Sequence, residues 1–305
     1  MDVTNHFLDD LSVKPIRIEK LCLPEFDEAG IVADVLRLDR LHDVVSGNKI
    51  FKLKYHLRRA IDSGCTHVAT FGGGWSNHIV ATAFACRETG LRSSGFIRGE
   101  EPAALSSTLL AAKNYGMELQ FLSRTEYTER SSLFAAIAEN MYTIPSGGGG
   151  EAGVQGSMEI LSGVPEADYS HIACSIGTGT MFTGLACSMS SNQQLLGIPA
   201  IKGFRALEPE YQILLERKAK QAAIHYLPDY HFGGFARKSK ELTDFMNRIY
   251  AISGIPTDIV YTGKLFFACA DLAKKQQLPK GSRLLIVHSG GLQGNSSLGP
   301  GILDF

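Results

Sequence analysis

Along this chain, short runs that stay apolar on successive positions alternate with stretches in which apolar residues return at helical spacing. Residues 31–38 (Ile-Val-Ala-Asp-Val-Leu-Arg-Leu) read as a strand. A polar turn, Ser46-Gly47-Asn48, then opens a helix at Lys49 whose buried face is Leu53, Leu57 and Ala60. Strand-then-helix units follow. A strand at 66–71 leads to an Ala-rich helix reaching Glu88 and stopping at Gly90. A strand at 92–97 leads to a helix at 105–115, closed by Gly116. A strand at 118–122 leads to a helix at 126–140, and another strand falls at 141–145. Pro145-Ser146-Gly147-Gly148-Gly149-Gly150 is the strongest break and reads as a hinge. Beyond it the pattern predicts a helix at 155–161, a strand at 171–176, a helix at 181–189 and a strand near 200–207. Helices near 210–222, 239–253 and 263–276 and a strand at 282–288 complete it. Strands apolar on both faces, alternating with helices, predict an α/β chain of open, mostly parallel sheets covered by helices.

Composition narrows the class. At 305 residues, 44% hydrophobic and 20% charged, the chain has room for two globular domains. A net charge of -1 argues against a nucleic-acid partner held through phosphates. No apolar run is long enough to span a bilayer, and Asp2, Asp9 and Asp10 lie where a signal peptide would carry basic and then apolar residues. The six cysteines include no Cys-x-x-Cys pair, so neither a zinc site nor a disulfide framework is expected. They read as thiols of a reducing compartment, and the chain is expected to be cytoplasmic.

Candidate chemistry gathers at the turns. Lys49 stands in the first turn of its helix, where unpaired N–H groups and the helix dipole disfavour an ammonium. A free amine there could form a Schiff base with an aldehyde; a solvated lysine is the plain alternative. Three glycine-rich turns follow strands, at Gly72–Asn77, Gly177–Thr180 and Ser289–Gly294, where open α/β sheets bind ligands. Gly177-Thr178-Gly179-Thr180 could cradle a phosphate at a helix start or could be a tight turn alone. No lysine follows its glycines, and Phe182 replaces the third glycine of a dinucleotide fingerprint. Ser76 and Asn77 could bind a carboxylate or simply cap a helix. Tyr261 and Thr262 place a phenol and a hydroxyl at another helix start. His78 and His288 could be ligands or proton carriers, although a lone histidine is more often structural. Together, an activated lysine, a phosphate-type loop and a hydroxyl-rich loop suit a phosphorylated aldehyde cofactor.

On these motifs the chain closely resembles the 1-aminocyclopropane-1-carboxylate deaminase/D-cysteine desulfhydrase family. The matching stretches are Ser46–Lys49 with Lys52-Leu53-Lys54-Tyr55, Phe71–His78, Gly177–Thr180, Val260-Tyr261-Thr262-Gly263-Lys264 and His288–Gly294. The resemblance implies fold type II and pyridoxal 5'-phosphate as cofactor. It also implies a large discontinuous domain (1–62 and 151–305) and a small mobile one (63–150). It makes Lys49 the cofactor lysine, with Asn48 beside it, and Gly177, Thr178, Gly179 and Thr180 the phosphate loop. Ser76 would bind the substrate carboxylate and move a proton, and Asn77 would bond the cofactor's phenolic oxygen. Tyr261 would be catalytic, Thr262 would partner the pyridine nitrogen, and Trp75, His78 and Phe235 would line the substrate side. A homodimer acting on a small amino acid is likewise implied.

The departures shape the expected activity. Thr180 and Met181 stand where the family loop has glycine and threonine, and Ser146–Gly150 replaces a Glu-Gly-Gly-x-Asn stretch. Phe235 takes the place of a second tyrosine, and Thr262 that of the acidic residue found in cyclopropane-opening members. A neutral pyridine is the weaker electron sink and suits β-elimination. The expected activity is therefore D-cysteine desulfhydrase-like loss of a β-substituent, giving an α-keto acid and ammonia. The alternatives are cyclopropane deamination, a non-catalytic cofactor-binding protein, and a nucleotide-binding α/β protein in which Lys49 is incidental.

Overall fold

Two sheets organise the chain in the computed structural model, which describes residues 16–129, 141–165, 168–219 and 223–305. The strands are β1 (Arg17–Lys20), β2 (Val32–Arg37), β3 (His67–Gly72), β4 (Arg92–Arg98), β5 (Met117–Leu122), β6 (Tyr142–Ile144), β7 (His171–Ile176), β8 (Gln194–Pro199), β9 (Ala223–Tyr226) and β10 (Arg283–His288). Six form one sheet in the order β1-β2-β10-β7-β8-β9, and four form the other in the order β5-β4-β3-β6. Every pairing is parallel except that of β1 with β2.

The unbroken apolar runs are explained by helices on both faces. Every residue of β3 and β7 is buried. Along β7, Ile172, Cys174 and Ile176 join a core with Leu53 and Leu57, and Ala173 turns to the opposite core with Leu265 and Phe266. Leu285 and Val287 of β10 pack with the first core, Leu284 and Ile286 with the second.

Several predicted elements move. The strand expected near 200–207 lies at Gln194–Pro199. Its Gly197 lets Phe182 approach to 2.5 Å of where a Cβ would sit, so a glycine that reads as a breaker is a packing device. The edge strands β1 and β9 carry no apolar run and are invisible to that pattern. The helix expected at 155–161 begins at Gly150 and ends as a 3-10 turn at Leu161. A Cβ at Gly156 would lie 1.8 Å from the Phe51 carbonyl oxygen, so this helix packs backbone to backbone on the Lys49 helix. Of the helix expected at 126–140, Arg124–Thr128 is helical and 130–140 lies outside the described residues. Among the described residues no helix is long and apolar enough to cross a membrane.

Below the Lys49 turn lies a buried ionic group. Arg37 bonds Asp39 at 2.9 and 2.7 Å and also reaches Glu19. Burial alone would raise the Asp39 carboxyl, but the bonds and charge of Arg37 hold it below its ordinary range. His288 belongs to this scaffold: its Nε2 lies 2.7 Å from the Pro256 carbonyl, and its Nδ1 accepts from the Gly290 amide at 3.3 Å.

Candidate active site

Lys49 is set in place by two interlocked turns. Gly47 has φ +67°, and a Cβ there would lie 1.9 Å from the Ser289 carbonyl oxygen. Gly290 has φ +76°, and its Cβ would meet Gly47 Cα and Ser46 Oγ at 2.9 Å. The Asn48 amide donates to Ser289 O at 3.2 Å, locking the turn to the end of β10. Lys49 then begins the helix Lys49–Asp62. Its Nζ donates to Asn48 Oδ1 at 2.7 Å, which turns Asn48 Nδ2 toward Met181 Sδ, 3.3 Å away.

Burial lowers the Lys49 amine to about 8, against the raising pull of Asp258. A usable fraction is therefore unprotonated near neutrality. In the apoprotein, the rate of Lys49 reaction with a simple aldehyde should titrate with a midpoint at about 8. Removing the opposing charge in Asp258→Asn should move that midpoint lower. Imine absorbance against pH measures both, and a wild-type midpoint at the ordinary lysine value would contradict this environment.

The end of β3 supplies the serine–asparagine loop. Ser76 holds the N-cap backbone position of the helix Asn77–Glu88, yet its hydroxyl makes no cap bond. The plain capping alternative is therefore not what forms, and the half-buried hydroxyl is uncommitted. Asn77 Nδ2 lies 3.0 Å, and Asp258 Oδ1 3.4 Å, from the point a Cβ would occupy at Gly291. That glycine leaves room for both groups at one spot. Trp75 is exposed.

His78 sits behind this loop. It is buried, its Nε2 is 2.7 Å from Thr70 Oγ1, and Thr70 passes its own proton to Ile144 O. Nδ1 is 3.5 Å from Thr82 Oγ1. Burial, then the charges of Lys49 and Lys52, push its pKa well down. His78 is thus neutral, with both ring nitrogens near threonine hydroxyls behind the loop.

Gly177–Thr180 leads from β7 into the helix Thr180–Ser188, with Gly179 at φ +90°. Thr180 Oγ1 is buried between Thr178 Oγ1 (2.8 Å) and Tyr211 Oη (3.0 Å), and Tyr211 Oη accepts from the Gly150 amide. The Thr180 hydroxyl therefore braces the loop from within, whereas Thr178 is exposed along with Gly177. Lys52, buried one helical turn from Lys49, donates to Gly147 O at 3.2 Å. Burial and then the Lys49 charge hold its pKa well below the ordinary value. No carboxylate bonds it among the described residues, so an anion entering this corner would be its first charged hydrogen-bond partner and would favour its ammonium form. A Cβ at Gly147 would lie 2.9 Å from Thr178 Cγ2, so the Pro145–Gly150 run packs into the same corner. Lys52, Thr178 and the unpaired N–H groups of the helix start suit a phosphate.

Asp258 organises the remaining side. Its Oδ2 accepts from the Val260 and Tyr261 amides, and its Oδ1 accepts from the amide and hydroxyl of Thr262. Thr262 Oγ1 in turn accepts from the Asp258 amide at 2.7 Å. The single hydroxyl proton of Thr262 is thus committed, and the residue is fully buried. Toward a ring nitrogen it can offer a lone pair but no proton. Burial, and next the Asp258 charge, raise the Tyr261 phenol, so it stays protonated. Its Oη would be 3.3 Å from a Cβ at Gly177, and Phe235 stands edge-on to its ring at 5.9 Å.

Asp258, Tyr211 and the anion-seeking role of Lys52 are absent from the sequence-based site. Lys52 follows Lys49 at the three-residue spacing that puts both on one helix side. Asp258 precedes its acceptor-poor turn as an Asx residue would. Tyr211 leaves no signal, because it arrives from a separate helix, Pro209–Lys218. Among the described residues no group of three His, Cys, Asp or Glu side chains could hold a metal ion.

A family profile described as "Pyridoxal-phosphate dependent enzyme" matches residues 23–290. A Pyrococcus abyssi protein provisionally named 1-aminocyclopropane-1-carboxylate deaminase is 28% identical over 299 residues, covering 91% of this chain and 89% of that one. An Arabidopsis thaliana mitochondrial bifunctional D-cysteine desulfhydrase/1-aminocyclopropane-1-carboxylate deaminase is 26% identical over 283 residues, covering 82% and 70%. The crystal structure of an ACC deaminase homologue superposes with a TM-score of 0.81 at 26% identity, covering 93% of this chain and 92% of that one.

Proposed function

This chain belongs to the pyridoxal-phosphate-dependent enzymes, the family matched across residues 23–290, and from that premise we propose that it is a desulfhydrase-like lyase of a small D-amino acid. The observation that carries this choice is Thr262. It is neutral, buried and closed onto Asp258, so it supplies no acid where cyclopropane-opening members have one. β-Elimination asks less of that position: an α-proton leaves, the β-substituent departs, and water completes the release of keto acid and ammonia.

When bound, the cofactor supplies an aldehyde that joins amines and a ring that withdraws electrons from the α-carbon. The rest of the work is assigned to this chain's residues. Lys49 would hold the cofactor through its amine and would take the substrate's α-proton, roles its lowered pKa suits. Lys52, Thr178 and the backbone of Gly177–Thr180 hold the phosphate, and Asn48 steadies the lysine amine. The free Ser76 hydroxyl and the Asn77 amide orient the substrate and the cofactor oxygen. The protonated Tyr261 phenol can give its proton to a departing thiolate, and Phe235 with Trp75 provides an apolar wall. The 63–150 unit would close over the site and exclude water. A cytoplasmic location is part of the same reading, in keeping with free cysteines of which Cys86, Cys174, Cys187 and Cys269 are buried, and the homodimer is what the family resemblance implies.

The test is a substrate screen of the cofactor-loaded enzyme. D-Cysteine should yield pyruvate, ammonia and sulfide in equal amounts, and β-chloro-D-alanine should yield pyruvate and chloride. 2-Oxobutanoate from the cyclopropane substrate, with no sulfide from either cysteine enantiomer, would replace this assignment with deamination.

A further inference from the structure

Lys264 is fully buried, yet no carboxylate bonds it among the described residues. It lies in the first turn of the helix Thr262–Lys274, three residues after Tyr261. Its Nζ donates to Ala200 O at 3.1 Å and to Gly234 O at 2.8 Å. The first acceptor belongs to the sheet. Ala200 directly follows β8, and its amide bonds Ile176 O at 2.9 Å, at the end of the strand that enters Gly177. The second acceptor belongs to the Phe235 loop, far from any sheet register.

That loop needs an anchor. Phe232, Gly233, Gly234 and Ala236 have φ of 50°, 84°, 122° and 53°, so two non-glycine residues hold a left-handed conformation that costs energy. Phe232 is fixed by an edge contact with Phe267 at 4.8 Å. Beyond it, contacts thin out to the edge of Phe235 on Tyr261 and a bond from Lys238 Nζ to Ser297 O: Phe235 is 57% exposed, and Gly233, Ala236 and Arg237 are exposed as well. The local bonds that remain are Gly234 N to His231 O, Gly233 N to His231 Nδ1, and Arg237 N to Gly234 O. Each of these ties the loop only to itself. Lys264 ties it to the sheet and to the helix turn that carries Tyr261.

We propose that Lys264 is a positioning residue that pins the Phe235 loop against the Tyr261 helix turn and thereby sets the apolar wall that selects the substrate side chain. This rests on the reading of Phe235, which stands edge-on to Tyr261, as part of that wall. The geometry explains why an ammonium is used. Two carbonyls from different elements converge on one point, and a single multi-donor cation bonds both where an apolar side chain would leave Gly234 O with only its 3.3 Å bond from the Arg237 amide and sever the tie between the two elements.

The test uses the cofactor-loaded enzyme. Lys264→Met keeps length and burial but removes the donors. Trypsin should then cut after exposed Arg237 and Lys238 about 10-fold faster or more, since two charge-assisted bonds no longer hold the loop. KM for the substrate should rise about 10-fold, more than kcat falls, and the cofactor's visible absorption should remain. Phe235→Ala is the companion variant and should raise KM in the same way. A rise in KM in Phe235→Ala with wild-type cleavage and KM in Lys264→Met overturns the pin and leaves the wall standing. Unchanged KM in Phe235→Ala overturns the wall, and with it the selection role of Lys264; cleavage then decides the pin alone. Should Lys264→Met fail to fold, hydrogen exchange of the wild-type enzyme decides. The amides of Gly233, Gly234 and Arg237, which are bonded within the loop, should be protected together with those that open the Tyr261 helix, and free exchange at all three overturns the proposal.

Discussion

Lys49→Ala will fold normally, lose the cofactor's visible absorption and turn over substrate about 10,000-fold more slowly or worse. The variant removes two functions at once, the amine that holds the cofactor and the base that takes the α-proton. Proton transfer by a placed group is worth up to about 10,000-fold alone. The fold should not suffer, because the amine's hydrogen bond is to neighbouring Asn48 and the buried face of the helix is Leu53, Leu57 and Ala60. Absorption spectra of the purified variant, unfolding curves and single-substrate kinetics check the three parts separately. A colourless wild-type protein unable to take up pyridoxal phosphate would remove the basis for the site as a whole.

Gly47→Ala should be nearly as damaging to the site without touching a reactive atom. At φ +67° an alanine is strained, and its Cβ would overlap the Ser289 carbonyl oxygen at 1.9 Å. Both atoms are backbone, so no rotamer relieves the clash. The two turns must part, at a cost of roughly 3 kcal/mol or more. Two outcomes are expected in the same sample: a lowered denaturation midpoint and weakened cofactor uptake. Wild-type values for both would show that the turns are not interlocked as described.

The alternating strands and helices were legible because both faces of β3 and β7 are covered, which forces unbroken apolar runs. The lysine turn and the three glycine-rich loops were legible because each joins a strand end to a helix start, and backbone geometry there demands particular residues. Glycines misled where they serve packing instead. Gly197 obscured β8, and Gly153 and Gly156 hid the start of a helix that needs close approach. The polar residues that complete the site were hardest to find. Asp258, Lys52 and Lys264 look like ordinary surface charges in the sequence, and only their burial marks them. His78 and Thr262 were legible in place but not in bonding. Each lies within a recognisable motif, but the hydrogen bonds that occupy its polar atoms come from neighbours no spacing rule reveals.

The joining of Gly47 to Ser289 and Gly290 also has a meaning in time. The ribosome makes the lysine helix well before the turn that seats it, which lies about 240 residues further along the chain. Bringing such distant segments together carries a loop-closure cost, and contacts of this kind form late in folding. Strand β10 must slot between β2 and β7 before that turn exists. A nascent chain can thus carry a formed Lys49 helix long before it has a place for the cofactor. Pyridoxal phosphate would then be captured only after β10 and the turn that follows it have been made and docked, and its colour would report that late docking as much as catalytic readiness.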